Sequence, residues 1–189
     1  MRKIVTLILL TALAPTLQGC FPVIASGVGA GISLANERRT SGIFIEDQSI
    51  EFKAQSRLNE KFKDQVHVNV TSYNLALLLT GEAPNATLRA EAESIVQSIP
   101  HVRQVFNEIV VAPLSSFSNR SNDSYLTTKV KGRMIDLNKF NIIHVKVVTE
   151  SNVVYLLGIV TRKEAEDATE IARTTSGVTK VVRLFEYLD

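Results

Sequence analysis

The sequence predicts an α+β protein made of two tandem copies of one αββαβ unit. One observation is an internal repeat: His67-Val68-Asn69-Val70 recurs 77 residues later as His144-Val145-Lys146-Val147. The other is that apolar residues change from helical spacing to β-rich runs and back, in the same order, in both copies. Two copies are too few for a solenoid, so the repeat indicates two small domains in tandem.

The first helix of each copy is amphipathic, and two β-rich runs follow it. In the second copy Leu126, Val130, Met134 and Leu137 share one helix face, and Asn122-Asp123 is available as its N-cap. The β-rich runs cover 66–71 and 75–80 in the first copy, and 143–149 and 153–160 in the second. The links between them are short, which predicts hairpins.

A second helix and a last strand complete each copy. The helix stripes are Leu88, Ala92, Ile95 and Ile99 in the first copy, and Ala165, Ala168, Ile171 and Ala172 in the second, where 161–164 reads as a capping box. The last strands carry Val102, Val105, Phe106 and Ile109, or Val178, Val181, Val182, Leu184 and Phe185. A strand–helix–strand crossover after a hairpin implies a small mixed three-stranded sheet with two helices on one face.

The N-terminus has the pattern of a lipoprotein signal. Two basic residues precede an apolar run over 4–17, which is too short to span a bilayer and suits a signal peptide. It ends in Leu17-Gln18-Gly19-Cys20, which predicts cleavage before Cys20 and lipidation of its thiol. We therefore expect a signal peptide over 1–19 and an apolar tether over 20–44.

The rest of the chain divides at the repeat boundaries. We expect the first domain over 45–111, a linker over 112–123 and the second domain over 124–189. The linker permits either a mobile connection or direct packing of the two domains.

Composition excludes several function classes. Lys+Arg 21 against Asp+Glu 19 gives a net charge of +2, which argues against a nucleic-acid binder. One Cys excludes a disulfide framework, and no catalytic motif is present, so we expect no enzyme activity, no cofactor and no metal. His67 and His144 start equivalent strands; one histidine per repeat favours a hydrogen-bonded strand end over a metal ligand.

The αββαβ order, with Gly81 and Gly158 closing the second strands and Gly177-Val178 opening the last one, resembles the BON domain. With the signal and tether, the chain resembles the dual-BON outer-membrane lipoproteins of the DolP family. The resemblance implies a periplasmic protein anchored in the outer membrane by its acyl chains. It also implies binding of anionic phospholipid (phosphatidylglycerol or cardiolipin) through the second BON domain, and a role in envelope integrity and at division sites.

The first helix of the second copy is the predicted lipid contact. Residues 124–135 hold three basic residues and no acid, and Tyr125, Lys129 and Arg133 are spaced by four. The candidate lipid-binding residues are Tyr125, Thr128, Lys129, Gly132 and Arg133. Two alternatives stay open: a solvated helix face beside a tandem-domain interface, and a protein–protein adaptor that tethers an envelope assembly.

Overall fold

The computed structural model describes residues 37–188, which include both repeats. The predicted signal peptide, Cys20 and most of the tether lie outside these residues. The elements of the first repeat are α1 Ser41–Phe62, β1 His67–Tyr73, β2 Ala76–Ala83, α2 Ala86–Gln97, β3 Gln104–Asn107 and β4 Val110–Val111. Those of the second are α3 Phe117–Leu137, a 3-10 turn Ile142–His144, β5 Val145–Glu150, β6 Val153–Val160, α4 Arg162–Arg173 and β7 Lys180–Tyr187.

Each repeat forms a mixed sheet, as predicted. In the first, β2 pairs antiparallel with β1 and parallel with β3. In the second, β6 pairs in the same way with β5 and β7. The first sheet has a fourth short strand, because Asn107 Oδ1 accepts the Ile109 N–H and interrupts the last strand; β4 then resumes parallel pairing with β2.

The hairpin turns are held by two aspartates at equivalent positions in the repeats. Asp47 of α1 is fully buried and accepts the N–H groups of Asn74 and Leu75 at 2.9 and 2.8 Å. Asp123 of α3 accepts those of Ser151 and Asn152, both at 2.9 Å. The turn residues all have positive φ, as two-residue hairpins require.

The prediction that Asn122-Asp123 caps the helix of the second repeat is therefore wrong. The helix begins two turns earlier, at Phe117, and its N-cap is Ser116, whose hydroxyl accepts the Asn119 N–H. The expected linker over 112–123 thus contains helix from residue 117 onward. Asp123 is buried inside α3 because its carboxylate serves the hairpin of its own repeat.

Both helices of a repeat pack on one face of its sheet. The first core joins Ile50 and Leu58 of α1 and Val96 of α2 to Leu77 and Leu79 of β2. The second core joins Val130 and Met134 of α3 to Val154 and Leu156 of β6 and to the predicted alanine stripe of α4. Leu137, predicted on the buried face of α3, is exposed because the core contact of that helix ends at Met134.

The opposite faces of the two sheets pack against each other. Tyr73, Leu78 and Phe106 of the first repeat form one apolar cluster with Tyr155 and Leu157 of the second. Residues 37–188 therefore form a sandwich of two sheets with helices outside, and β2, covered on both sides, is buried along its whole length. Burial of this second face explains how two repeats with marginal separate cores stabilise one another.

Arg38, just before α1, ties the start of the first repeat to the second. Its guanidinium donates to both carboxylate oxygens of Glu164 in α4, at 2.7 and 2.9 Å, and to the Ile159 carbonyl at 2.7 Å. Glu164 also completes the predicted capping box by accepting the Thr161 N–H. This ion pair therefore connects the two repeats and also holds the carboxylate that caps the start of α4.

Arg38→Ala is expected to raise the pKa of Glu164 from about 2 toward its ordinary value of 4.5, because the hydrogen bonds from Arg38 are the main cause of the low value. The folded pKa lies below the unfolded one. The charged form therefore stabilises the fold above about pH 4.5, and this contribution is lost as the pH falls toward 2. An NMR titration of the Glu164 carboxyl carbon measures the midpoint. Arg173→Ala, which removes an arginine paired with Glu170 on the same helix, is the control; equal midpoints in the two variants would contradict the prediction.

Candidate membrane interface

Helix α3 presents one long side to solvent and buries the other. Val130 and Met134 pack into the core of the second repeat, and Leu126 is buried on the same side beside Gly177. The helix ends at Leu137, and its C-cap residue Asn138 adopts a left-handed conformation and donates its N–H to the Met134 carbonyl.

Three of the predicted lipid-binding residues lie on the exposed side. The Tyr125 side chain is 65% exposed, which leaves its ring available to a partner surface. Thr128 is exposed and donates its hydroxyl to the Ser124 carbonyl of its own helix. Gly132 is half-buried, yet a Cβ built there meets no atom within 4 Å, so nothing in the repeat covers the helix backbone at this point.

The two predicted cations, Lys129 and Arg133, lean toward the loop after α4. Lys129 Nζ donates to the Ser176 carbonyl at 2.9 Å. Arg133 Nη1 donates to the Ile171 carbonyl at 3.0 Å and to the Thr175 hydroxyl at 2.7 Å. Arg133 thus binds the C-terminal end of α4, where a cation is favoured by the helix dipole. Both side chains already have partners within the repeat.

The exposed side also carries residues that sequence reasoning missed. Phe117 and Ile135 are 82% and 60% exposed, and Lys131 is exposed with no ion-pair partner among residues 37–188. Phe117 and Ile135 are 18 residues apart, five turns of an ideal helix, so they lie on the same side. That spacing was readable in the sequence, but only for a helix that begins at Phe117 rather than Ser124.

The C-terminal half of α3 borders an open groove of about 400 Å³ between the repeats. Phe44 and Gln48 of α1 line one wall, and Lys131 and Ile135 of α3 line the other. Above the groove, the Arg39 guanidinium lies over the Tyr73 ring, 4.0 Å from its centroid. The structure therefore sets exposed apolar side chains of both first helices around the cation Lys131.

Charge on α3 is positive where it faces solvent. The helix holds four basic residues (Arg120, Lys129, Lys131 and Arg133) against two acids. One of the acids, Asp123, is buried in the hairpin contact, which leaves Asp136 on the surface. Among residues 37–188, no helix combines the length and apolar character needed to cross a bilayer.

Comparison with known proteins assigns the fold to a family. The BON domain family model matches 46–113 and 122–189, one match for each repeat. The chain is 38% identical to Outer membrane lipoprotein DolP of Haemophilus influenzae, over 92% of this chain and 91% of that protein. It is 29% identical to the 21 kDa hemolysin of Actinobacillus pleuropneumoniae, over 79% of this chain and 78% of that one.

A third relative matches this chain over a smaller share of its own length. The Osmotically-inducible protein Y of Escherichia coli is 32% identical over 57% of this chain and 51% of that protein. The two domain matches coincide with the two sheets described above, and the first relative matches nearly end to end. The chain therefore belongs to the BON-domain family, as a dual-BON protein of the DolP family.

Proposed function

We propose that this protein is a non-enzymatic outer-membrane lipoprotein, acylated at Cys20, whose body lies in the periplasm and binds anionic phospholipid through the exposed side of α3. The observation that carries the proposal is Lys131, which is exposed and unpaired among residues 37–188 and lies beside the exposed Ile135. Tyr125 and Phe117 continue the same side of the helix. Cations between exposed aromatic and aliphatic side chains suit a headgroup layer.

The expected strength of this contact is modest. Each basic residue near an anionic surface contributes about 1 kcal/mol, and salt reduces that value. Lys131 is fully available, whereas Lys129 and Arg133 share their charge with carbonyl groups of the repeat. The acyl chains on Cys20 would hold the protein at the membrane, and α3 would select where in the membrane it rests.

The relatives support the location rather than the ligand. The Haemophilus influenzae protein is named as an outer membrane lipoprotein, and this chain matches 91% of it. Phosphatidylglycerol or cardiolipin as ligand, and a role in envelope integrity and at division sites, are part of the proposal through the family resemblance.

Lys131→Glu is expected to weaken binding to phosphatidylglycerol vesicles roughly thirtyfold, because reversing one charge changes the interaction by about 2 kcal/mol. The measurement is vesicle co-sedimentation at low salt, using the chain from residue 21 onward, which lacks the anchor. Lys53→Glu reverses the charge of an exposed lysine on the first repeat and serves as the matched control. Equal binding by both variants would contradict the proposal.

NMR shifts with phosphatidylglycerol micelles locate the contact. We expect the shifts to concentrate in residues 117–135, with smaller shifts for Phe44 and Gln48 across the groove. Shifts spread evenly over both repeats, or none, would contradict the assignment to α3. If Lys129→Glu loses a crosslinked protein partner while lipid binding is unchanged, the adaptor hypothesis is favoured instead.

A further inference from the structure

A histidine and two glutamates meet in a cluster between the repeats. His67 and Glu82 face each other as cross-strand partners in β1 and β2. Glu150 comes from the other repeat, as the last residue of β5. Packing of the two sheets back to back is what joins these three side chains.

The three side chains are close enough to share one metal ion. His67 Nδ1 lies 3.0 Å from Glu82 Oε2 and 4.0 Å from Glu150 Oε1. One ligand atom from each residue lies within 4.8 Å of the others. Ligand atoms of a tetrahedral zinc ion with N and O donors are roughly 3.4 Å apart, so an ion fits between the three with small side-chain movements.

The cluster places two largely buried carboxylates beside one imidazole. The side chains of Glu82 and Glu150 are only 6% and 7% exposed. Neither forms an ion pair with a lysine or arginine among residues 37–188. The His67 imidazole is the one basic group within 4.0 Å of both carboxylates among these residues. Burial of two carboxylates is costly unless a cation accompanies them.

Neighbouring groups already orient the carboxylates. Glu150 Oε2 accepts hydrogen bonds from Asn69 Nδ2 at 2.8 Å and Thr80 Oγ1 at 3.0 Å. Glu82 Oε1 accepts from the Ser151 hydroxyl at 3.3 Å, and Glu82 Oε2 accepts from the Ser115 N–H at 3.2 Å. Glu150 Oε1 receives no hydrogen bond from the described residues; its contact in the cluster is His67 Nδ1 at 4.0 Å. One oxygen of a nine-tenths buried carboxylate thus has no protein donor among the described residues and is reached by solvent.

Access from solvent is open on one side. A cavity of about 440 Å³ is lined by His67, Asn69 and Glu150, together with Arg120, Asp123 and Thr127 of α3. It provides an entry path and room for water to complete the coordination of an ion.

We propose that His67, Glu82 and Glu150 bind a divalent transition-metal ion of the zinc type, with water in the remaining position. One nitrogen and two carboxylate oxygens suit Zn²⁺ and its first-row neighbours better than Ca²⁺ or Mg²⁺, which prefer oxygen ligands alone. Because the ligands come from both repeats, the ion links the two domains and stabilises their packing.

Zinc titration of the full-length protein tests the site. The protein is purified with its anchor in detergent, treated with EDTA and titrated with Zn²⁺ by calorimetry, with thermal unfolding in parallel. We expect one ion per chain and a higher unfolding temperature with zinc. His67→Gln and Glu150→Gln should each raise the dissociation constant for zinc more than about tenfold. Glu150→Gln keeps the side-chain shape and keeps the test open if His67→Gln does not fold.

His101→Gln is the matched control for adventitious binding by a surface histidine. His101 is 68% exposed and pairs with Glu46 in the first repeat. Its loss should leave zinc binding and the zinc-induced thermal shift unchanged. Absence of stoichiometric zinc binding by the unmodified protein, or equal binding by the His67→Gln and His101→Gln variants, would overturn the proposal.

Discussion

Replacing Asp47 by alanine is expected to lower the free energy of unfolding by about 3 kcal/mol. The Asp47 carboxylate is fully buried and accepts hydrogen bonds from Asn74 N, Leu75 N and the Ser72 hydroxyl, the last at 2.7 Å. It also pairs with Arg39 at 2.9 Å. Removing the carboxylate leaves the two turn N–H groups without an acceptor and removes one carboxylate partner of the buried Arg39 guanidinium.

Urea unfolding followed by circular dichroism measures this loss for the chain from residue 21 onward. Asp136→Ala is the matched control, because Asp136 is an exposed aspartate on α3, the equivalent helix of the second repeat. We expect the control to change the unfolding free energy by no more than about 0.5 kcal/mol. Similar losses in both variants would show that the hairpin does not depend on the buried carboxylate.

Gly81→Ala is expected to destabilise the protein by about 3 kcal/mol or more. Gly81 has φ +117, a conformation that residues with a Cβ rarely adopt. An added Cβ would also lie 2.0 Å from the His67 carbonyl oxygen of the neighbouring strand. Because both obstacles are backbone, no side-chain movement relieves them, and β1 must shift away from β2.

Gly132→Ala provides the opposite control in the same chain. Gly132 lies inside α3, and a Cβ there meets nothing within 4 Å. Alanine in place of glycine within a helix stabilises by roughly 0.5–1 kcal/mol, so the two glycine variants should move the urea midpoint in opposite directions. A Gly81→Ala protein as stable as the unmodified one would refute the close strand contact.

Local patterns predicted the elements well. The alanine stripe of α4, its capping box and the span of β6 are all confirmed, because each depends on residues a few positions apart. The predicted start of α3 was wrong because Asn122-Asp123 has the composition of an N-cap. Choosing between Ser116 and Asp123 requires knowing that the Asp123 carboxylate is needed by the turn at 151–152.

The lipid contact on α3 stays a prediction. The spacing of Tyr125, Lys129 and Arg133 could not indicate that the loop after α4 takes up the two cations. Lys131 and Ile135 border the groove beside α1, a neighbour that belongs to the other repeat. Whether a surface cation is free depends on contacts distant in sequence.

The sequence by itself determined the duplicated αββαβ order and the placement of both helices of a repeat on one face of its sheet, since hydrophobic periodicity acts over neighbouring residues. Only the tertiary structure decided that the opposite faces pack together. Those faces mix apolar residues such as Leu78 with polar ones such as Thr80 and Glu82, so their pattern does not distinguish solvent from a second sheet. The same packing brings Glu150 to His67. Each of the two faces is partly polar, and burying a polar group is costly unless it finds a partner, here in the opposite repeat.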